Sequence, residues 1–287
     1  MNDRQYALRH HPVRSRGISR LAAYVVLTIA AIVALFPVWW IIATALETTA
    51  RAYSFPGALV PQGVLGNVLD AWSQAPWERL LLNSLLIGGA TTIGTLLVAF
   101  LAAYALVYLF SSRTSRILFT LVVMTMLVPF YAVLIPDYVI IRDLNLLNTY
   151  LAQILPFVGG GFAIFLLRQF VYAFPKELRD AARTDGMGDW GFMWHILFPN
   201  LRPAMVTVGI YTFILSWNAF LWPLIVTNDS SVQPVQVGLA NLLTTANGTD
   251  FTMLSAAAGI TALPVIILYL IFQRQVTDSV NRSGLKG

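Results

Sequence analysis

The chain contains no cysteine. That excludes a disulfide framework, a thiolate nucleophile and any zinc site built on sulfur. Histidine is almost missing as well. His10 and His11 lie in a basic tail and His195 in a charged loop, with no set of partners for metal binding or acid–base work. Only two of the eighteen cations are lysines, Lys176 and Lys286, and neither follows a G-x-x-x-x-G-K-[ST] loop, so this chain has nothing to cradle the phosphates of ATP. Charge itself is scarce. Asp, Glu, Lys and Arg make up 11% of the 287 residues, where soluble domains carry roughly 25%. Too little polar surface remains to cover a globule, while a hydrophobic fraction of 57% and a mean hydropathy of +0.71 exclude disorder. The class that remains is an integral membrane protein with no catalytic residues and no bound metal or cofactor of its own. Eighteen Lys and Arg against thirteen Asp and Glu would suit nucleic acid, but the cations sit in short segments between apolar runs, as membrane-flanking charge does.

What is present is six apolar runs. A helix crossing roughly 30 Å of hydrocarbon needs about 20 mostly apolar residues. Leu21–Leu46, Leu80–Phe110, Ile117–Ile141, Leu151–Phe174, Ala204–Thr227 and Phe251–Gln273 meet that length, with Asp137 and Arg168 as their only charges. Only helices satisfy their backbone groups within one segment in lipid, so all six are expected to be helical. The first run is too long for a cleaved signal peptide and reads as a retained helix. Trp39, Trp40, Trp72, Trp77 and Trp222 fall at or near span ends, where an aromatic belt belongs. Glu47–Arg79, with its prolines and glycines, reads as an irregular external cap.

The basic residues set the orientation. Fourteen lie in the N-terminal tail, the Ser111–Arg116 loop, the Pro175–Pro203 loop and the C-terminal tail; Arg51, Arg79 and Arg142 alone lie in the alternate loops. The positive-inside rule then places both termini in the cytoplasm. The expected organisation is a cytoplasmic tail over 1–20, a six-helix membrane domain over 21–273 containing a cytoplasmic loop at 175–203, and a second tail over 274–287.

That loop is unusually ordered for a connection. Pro175 suits a helix start. Lys176, Glu177, Arg179, Asp180, Arg183 and Asp185 alternate in sign, with Lys176 and Asp180 one turn apart. Leu178, Ala181, Ala182 and Asp185 fall at i, i+3, i+4 and i+7, which gives a narrow face of small residues ringed by charge. Gly186 and Gly188 break this helix, Asp189 is placed to cap a second one, and Pro199 and Pro203 lead into the fifth span. A lipid-resting helix would be rich in cations on its polar face. Balanced charge around an alanine face instead suits docking by another protein.

Asp180-Ala181-Ala182, with Gly186 six positions after Asp180, Ile196 sixteen after it and Pro199 nineteen after it, resembles the EAA motif of the membrane permease subunits of ATP-binding-cassette importers. Asp180 stands where Glu is usual and Phe198 where Leu is usual. Leu82-Asn83-Ser84, Phe174-Pro175-Lys176-Glu177-Leu178, Trp217-Asn218-x-x-Leu221-Trp222-Pro223-Leu224 and the tail Gly284-Leu285-Lys286-Gly287 extend the resemblance, to the carbohydrate-type permeases, over nearly the whole chain. The resemblance implies a type I importer permease fold in a bacterial or archaeal cytoplasmic membrane. It implies a dimer of ATPase subunits holding ATP and Mg, a second and different permease subunit, and an external solute-binding protein. It assigns ATPase coupling to Asp180, Ala181, Ala182, Asp185, Gly186, Ile196 and Pro199, and transport of a sugar, an oligosaccharide or glycerol 3-phosphate.

For an uncharged sugar, a conduit needs hydrogen-bonding groups and aromatic faces. Trp217 and Asn218 in the fifth span and Tyr131 between Pro129 and Pro136 in the third are the candidates, with bonding between helices an equal reading of Asn218. Asn83 and Ser84 read as structural, and Arg168 as a snorkelling cation. The competing class is a secondary transporter or channel acting without an ATPase. It would place ionisable groups deep in its spans, whereas Asp137 and Arg168 lie toward span ends.

Overall fold

The computed structural model describes residues 16–54, 59–245 and 250–284. The expectations for most of the N-terminal tail, for Pro56 and Gly57 of the cap and for the last three residues of the C-terminal motif lie outside them. Within the described residues every regular element is helical.

Helix α1, Arg16–Ala45, is exposed along residues 20–39 and packs against the rest of the chain only through its C-terminal turns, where Ala43, Thr44 and Ala45 are buried. A short helix α2, Thr49–Ala52, and α3, Gly66–Ser73, follow. The Glu47–Arg79 segment is therefore partly helical, not irregular throughout. The reason is local: Asn67 of α3 donates its Nδ2 to the carbonyls of Ala45 at 3.0 Å and Glu47 at 2.7 Å, taking up acceptors that the end of α1 leaves unpaired.

Helix α4, Trp77–Tyr104, runs on through a π-helical turn at Ala105–Leu109. It packs closely against the helices of the fourth and fifth apolar runs. Helices α5, Ser112–Thr125, and α6, Phe130–Asp143, meet at 95° across Met126–Pro129, so the third apolar run is not a continuous span. Pro129 has no N–H to give and disfavours helical backbone in the residue before it, which ends α5 and starts α6. Helix α7, Tyr150–Ile154, is N-capped by the Thr149 hydroxyl; it passes through a 3₁₀ turn into α8, Gly161–Tyr172, with a bend of 46°. Gly161 lies where a Cβ would come within 2.6 Å of Thr125 Oγ1 and 3.1 Å of the Val122 carbonyl, so α5 and α8 approach closely there.

The charged loop folds into α9, Lys176–Thr184, and α10, Asp189–Gly191, and passes through a π-helical segment, Phe192–Leu197, into α11, Phe198–Trp217. The fifth apolar run is split as well. Helix α11 begins inside the loop and stops at Trp217, and α12, Leu221–Val226, resumes after a short break. Helix α13, Val235–Thr245, and the long α14, Phe251–Gly284, complete the chain. Among the described residues, by length and composition, three helices can cross a membrane singly: Arg20–Ala45, Trp77–Leu109 and Phe251–Gln273. Five can if each bent pair counts as one.

Three cores hold the helices together. One joins the second half of α4 to α8, α11 and the charged loop. Another joins α3, the first half of α4, the end of α11, α13 and α14, and a third joins α6, α7 and α12. Trp77 and Trp222 were expected in an aromatic belt. Both are buried instead, because each indole N–H reaches a carbonyl that needs a donor: Ala71 for Trp77 at 2.7 Å and Ala152 for Trp222 at 2.9 Å. Trp39 and Trp72 are exposed.

Asn83 ties α4 to the segment before α13. Its Nδ2 donates to the carbonyls of Ser231 at 3.0 Å and Gln233 at 2.8 Å, and its Oδ1 accepts from the Tyr150 hydroxyl at 2.8 Å. At the next position, Ser84 Oγ accepts from the Val235 N–H at 2.8 Å. Asn83→Leu keeps the branched shape and removes the partner of the Gln233 carbonyl and the Tyr150 hydroxyl, while the Ser231 carbonyl keeps Arg79 Nε at 3.1 Å. It is expected to cost about 2–4 kcal/mol, read as a lower thermal unfolding midpoint in detergent; a midpoint equal to wild type would show that the segment holds without Asn83.

Candidate functional site

The Pro175–Pro203 loop has two halves of different character. The second half is anchored by apolar side chains: Phe192, Met193 and Leu197 are buried in the core shared with α4, α8 and α11. The first half, α9, buries one residue, Ala182, at 4% exposure. Leu178, Asp180, Ala181 and Asp185 are exposed. The face expected to be shared by Ala181 and Ala182 is therefore divided. Ala182 faces its own chain, because neighbouring residues on a helix are turned apart, while Ala181 stays with Asp180 and Asp185 on the open surface. Asp185 caps the C-terminus of α9, and Gly186 follows with φ +79°, a left-handed conformation that a side chain would strain. Ile196 is half-buried against the core, and Pro199 lies in the first turn of α11.

One methyl group is a weak anchor, worth roughly 0.8 kcal/mol on burial. A charged node does more. Asp189 Oδ1 accepts from Arg179 Nη2 at 2.8 Å, from the Tyr104 hydroxyl at 2.9 Å and from Arg183 Nη2 at 3.4 Å. The Arg179 guanidinium also lies 4.6 Å from the centre of the Tyr108 ring, over its face. A charge-assisted bond in this half-exposed setting contributes about 1–2 kcal/mol, more than the methyl. Hydrogen bonds from Arg179 first and Tyr104 second hold the Asp189 carboxyl below the ordinary carboxylate range. A lowered folded-state value means that the contribution is complete above the unfolded value and disappears only as pH falls through the lowered one. The node is thus intact throughout the neutral range.

Sequence spacing missed this node. Asp189 was expected as a helix cap, and Lys176 as the partner of Asp180. Among the described residues the ion pairs of the loop are those of Asp189 with Arg179 and Arg183, and Asp189 makes no capping bond to the helix it opens. The pairing crosses the Gly186 turn and reaches Tyr104, so no i, i+4 rule could have found it.

The three residues expected along a substrate path differ in their exposure. Tyr131 is 75% exposed in the first turn of α6, with Phe130 as its ring neighbour. Trp217 is 1% exposed. Its ring lies 5.7 Å from Phe213 and its Nε1 donates to the Thr261 carbonyl of α14 at 3.2 Å, so neither face is open in this conformation. Asn218 is exposed at the end of α11, where its Nδ2 donates to the Ile214 carbonyl at 3.0 Å and its Oδ1 lies 3.5 Å from Gln236 Nε2. Arg168 sits between aromatic rings, 4.3 Å from the centre of Phe119 and 4.7 Å from that of Tyr172. Cation–π contact therefore holds this cation. An apolar groove of about 370 Å³ opens between α4, α5 and α8, and none of the three path residues lines it. Among the described residues no group of His, Asp or Glu is placed to hold a metal ion.

Residues 94–282 match the protein family described as binding-protein-dependent transport system inner membrane component. The chain is 31% identical to the sn-glycerol-3-phosphate transport system permease protein of Yersinia pestis bv. Antiqua, over 90% of this chain and 94% of that one. It is 31% identical to the lactose transport system permease protein of Rhizobium radiobacter, over 92% and 96%. It is 36% identical to the arabinooligosaccharides transport system permease protein of Halalkalibacterium halodurans, over 71% and 73%. In fold it is similar to a chain in the crystal structure of a bacterial ABC transporter involved in the import of the acidic polysaccharide alginate. That match has a TM-score of 0.77 at 24% identity, covering 92% of this chain and 98% of the other.

The two alanines of the loop separate packing from surface. Ala182→Trp forces a large ring into a packed core and is expected to cost about 2–3 kcal/mol, lowering the thermal midpoint by several degrees. Ala181→Trp, on the open face, is expected to stay within about 0.5 kcal/mol of wild type. Equal midpoints for the two variants would refute the division of the face.

Proposed function

We propose that this chain, which belongs to the family of binding-protein-dependent transport system inner membrane components, is one permease subunit of an ATP-driven importer. The observation that carries this reading is the exposed face of α9. Asp180, Ala181 and Asp185 stand open beside the left-handed Gly186, on a loop held to the long span α4. A shallow face of small residues ringed by charge suits close approach by a partner with a polar groove.

In this reading the chain spans a bacterial or archaeal cytoplasmic membrane six times. The α5–α6 and α11–α12 pairs act as broken spans, and both termini and the charged loop lie in the cytoplasm. The separate ATPase dimer holds ATP and Mg and takes the α9 face into its groove. A second, different permease completes the pathway, and an external solute-binding protein delivers the solute. Lipid and the partner permease cover the apolar length of α1 that its own chain leaves bare. The solute is a sugar, an oligosaccharide or glycerol 3-phosphate, the classes named for the relatives. Tyr131 and Asn218, whose side chains are open, are assigned to the conduit. Trp217 would reach it only when α11 and α14 part.

Co-purification tests the coupling. The wild-type chain should hold its ATPase in detergent, whereas Ala181→Trp and Gly186→Pro should insert normally and lose most of it, the second because proline fixes φ near −65°. Retention of the ATPase by both variants would remove the docking role. For the solute, vesicle-reconstituted complexes offered binding proteins loaded with glycerol 3-phosphate, lactose or an arabino-oligosaccharide should raise ATP hydrolysis with one of them. A response confined to an amino acid or peptide would overturn the solute class and leave the permease assignment standing.

A further inference from the structure

The docking helix α9 is joined to the rest of the loop through Asp185-Gly186-Met187-Gly188, which contains two glycines, one of them at φ +79°. Neither glycine meets a neighbour within 4 Å of where a Cβ would stand, so the turn is held only through Met187 between them, which is half-buried against the core and donates its N–H to the Ala182 carbonyl at 2.9 Å. Left to the turn alone, α9 would swing on a hinge. A push delivered to its open face would be spent on bending the loop.

The structure places a bracket across that hinge. Asp189 begins the anchored half of the loop, immediately after the second glycine. Its Oδ1 accepts from Arg179 Nη2 at 2.8 Å, and Arg179 belongs to the hinged half. The same carboxylate accepts the Tyr104 hydroxyl at 2.9 Å, and the Asp189 carbonyl lies within 3.3 Å of that hydroxyl. Tyr104 is the last residue of α4 and is buried. The Arg179 side chain is largely buried too, lies over the Tyr108 ring, and places Nη2 3.5 Å from the Tyr108 carbonyl in the π-helical turn that continues α4. π-helical turns interrupt the regular backbone ladder and often sit at functional positions. Here one receives the arginine and another, Phe192–Leu197, follows the aspartate.

We propose that Asp189 is a positioning residue for energy coupling: by bonding Arg179 and Tyr104 at once, it makes α9 and α4 one rigid body, so that displacement of the docking helix moves the span. The proposal rests on the reading above that α9 meets the ATPase, but it adds a separate element. Asp180, Ala181 and Gly186 make the contact, and Asp189 determines where the displacement goes. Arg183, at 3.4 Å from the same carboxylate oxygen and more exposed, is an auxiliary partner.

The test uses the complete importer in lipid vesicles. The chain has no cysteine, so Thr184→Cys on α9 and Leu101→Cys on the exposed side of α4 give one defined pair of spin labels once any cysteines of the partner subunits are replaced. The distance between them should be a single narrow population in wild type. Asp189→Asn should broaden it, and Asp189→Glu should restore it. In the same vesicles, solute imported per ATP hydrolysed should fall about tenfold or more in Asp189→Asn, the scale expected for losing a charge-assisted bond, with the ATPase still bound. The solute is the member of the panel above that wild type imports. Tyr104→Phe keeps both arginines and should show the same broadening with a smaller loss of coupling. It is the variant to read if Asp189→Asn does not accumulate. A narrow distance population with normal import per ATP, in Asp189→Asn or in Tyr104→Phe, would overturn the proposal. Loss of the ATPase from Asp189→Asn would overturn it too, since Asp189 would then belong to the contact itself. The label distance does not involve the ATPase, so it reads the bracket even if α9 proves to dock something else.

Discussion

In hydrocarbon, apolar side chains have no water to escape. What fixes one span against another is close packing and the few polar links that survive there. Two of those links lie toward the two ends of α4. At one end Asn83 holds two carbonyls before α13 and the Tyr150 hydroxyl of α7. At the other, Tyr104 holds Asp189 and, through it, the charged loop. Between them α4 packs on α8 and α11 through small residues and close glycines; Gly88 approaches Phe213, and Gly209 of α11 approaches Leu96. Every core but the one around α6 includes part of this helix. The remaining elements take their places from it.

The loop shows what such a frame permits. Its second half is fixed by aromatic and aliphatic burial, so the first half can remain almost wholly polar and still have a defined position. In the proposed reading, that division lets one short helix present a docking face without giving up its link to the rest of the chain. It also explains why Ala182 and Ala181, adjacent in sequence, have opposite duties. Ala182 must be small because it touches its own core, and Ala181 must be small, in the proposed reading, because a partner comes close.

Much of this was legible before the structure. Long uncharged runs can only be helices in lipid, and they located the apolar lengths Arg20–Ala45, Trp77–Leu109 and Phe251–Gln273 of α1, α4 and α14 to within a few residues, though α14 itself runs on to Gly284. The Pro175, Gly186 and Pro199 punctuation located the loop and its two halves. The breaks were less visible. Pro129 sits at the 95° bend between α5 and α6, a break inside a run read as one span, and nothing in the apolar pattern of residues 204–227 marks the stop at Trp217, since hydropathy does not change where a helix ends inside an apolar run. The indoles were misplaced for a related reason. A tryptophan near a span end suits a membrane interface or a buried carbonyl equally well, and only the tertiary fold brings Ala71 to Trp77 and Ala152 to Trp222. Asp189 was the hardest to see. Its partners lie ten and eighty-five positions away, outside any local spacing rule.

The two polar links differ in chemistry, and the difference follows from where each sits. Asn83 is buried and neutral, and its partners are neutral too. A charge there would have to leave water with little to offset its desolvation. The Asp189 carboxylate keeps two-fifths of its surface exposed and has two guanidinium groups beside it, so ionisation costs little. An amide satisfied by backbone carbonyls is also hard to exchange, because those carbonyls cannot move without the chain. A carboxylate shared by two arginines and a phenol can trade one donor for another while staying bonded. The first kind of link suits an end that must stay put. The second suits the end where, in the proposed orientation, a partner pulls on the loop through each cycle and the bracket must transmit strain without breaking.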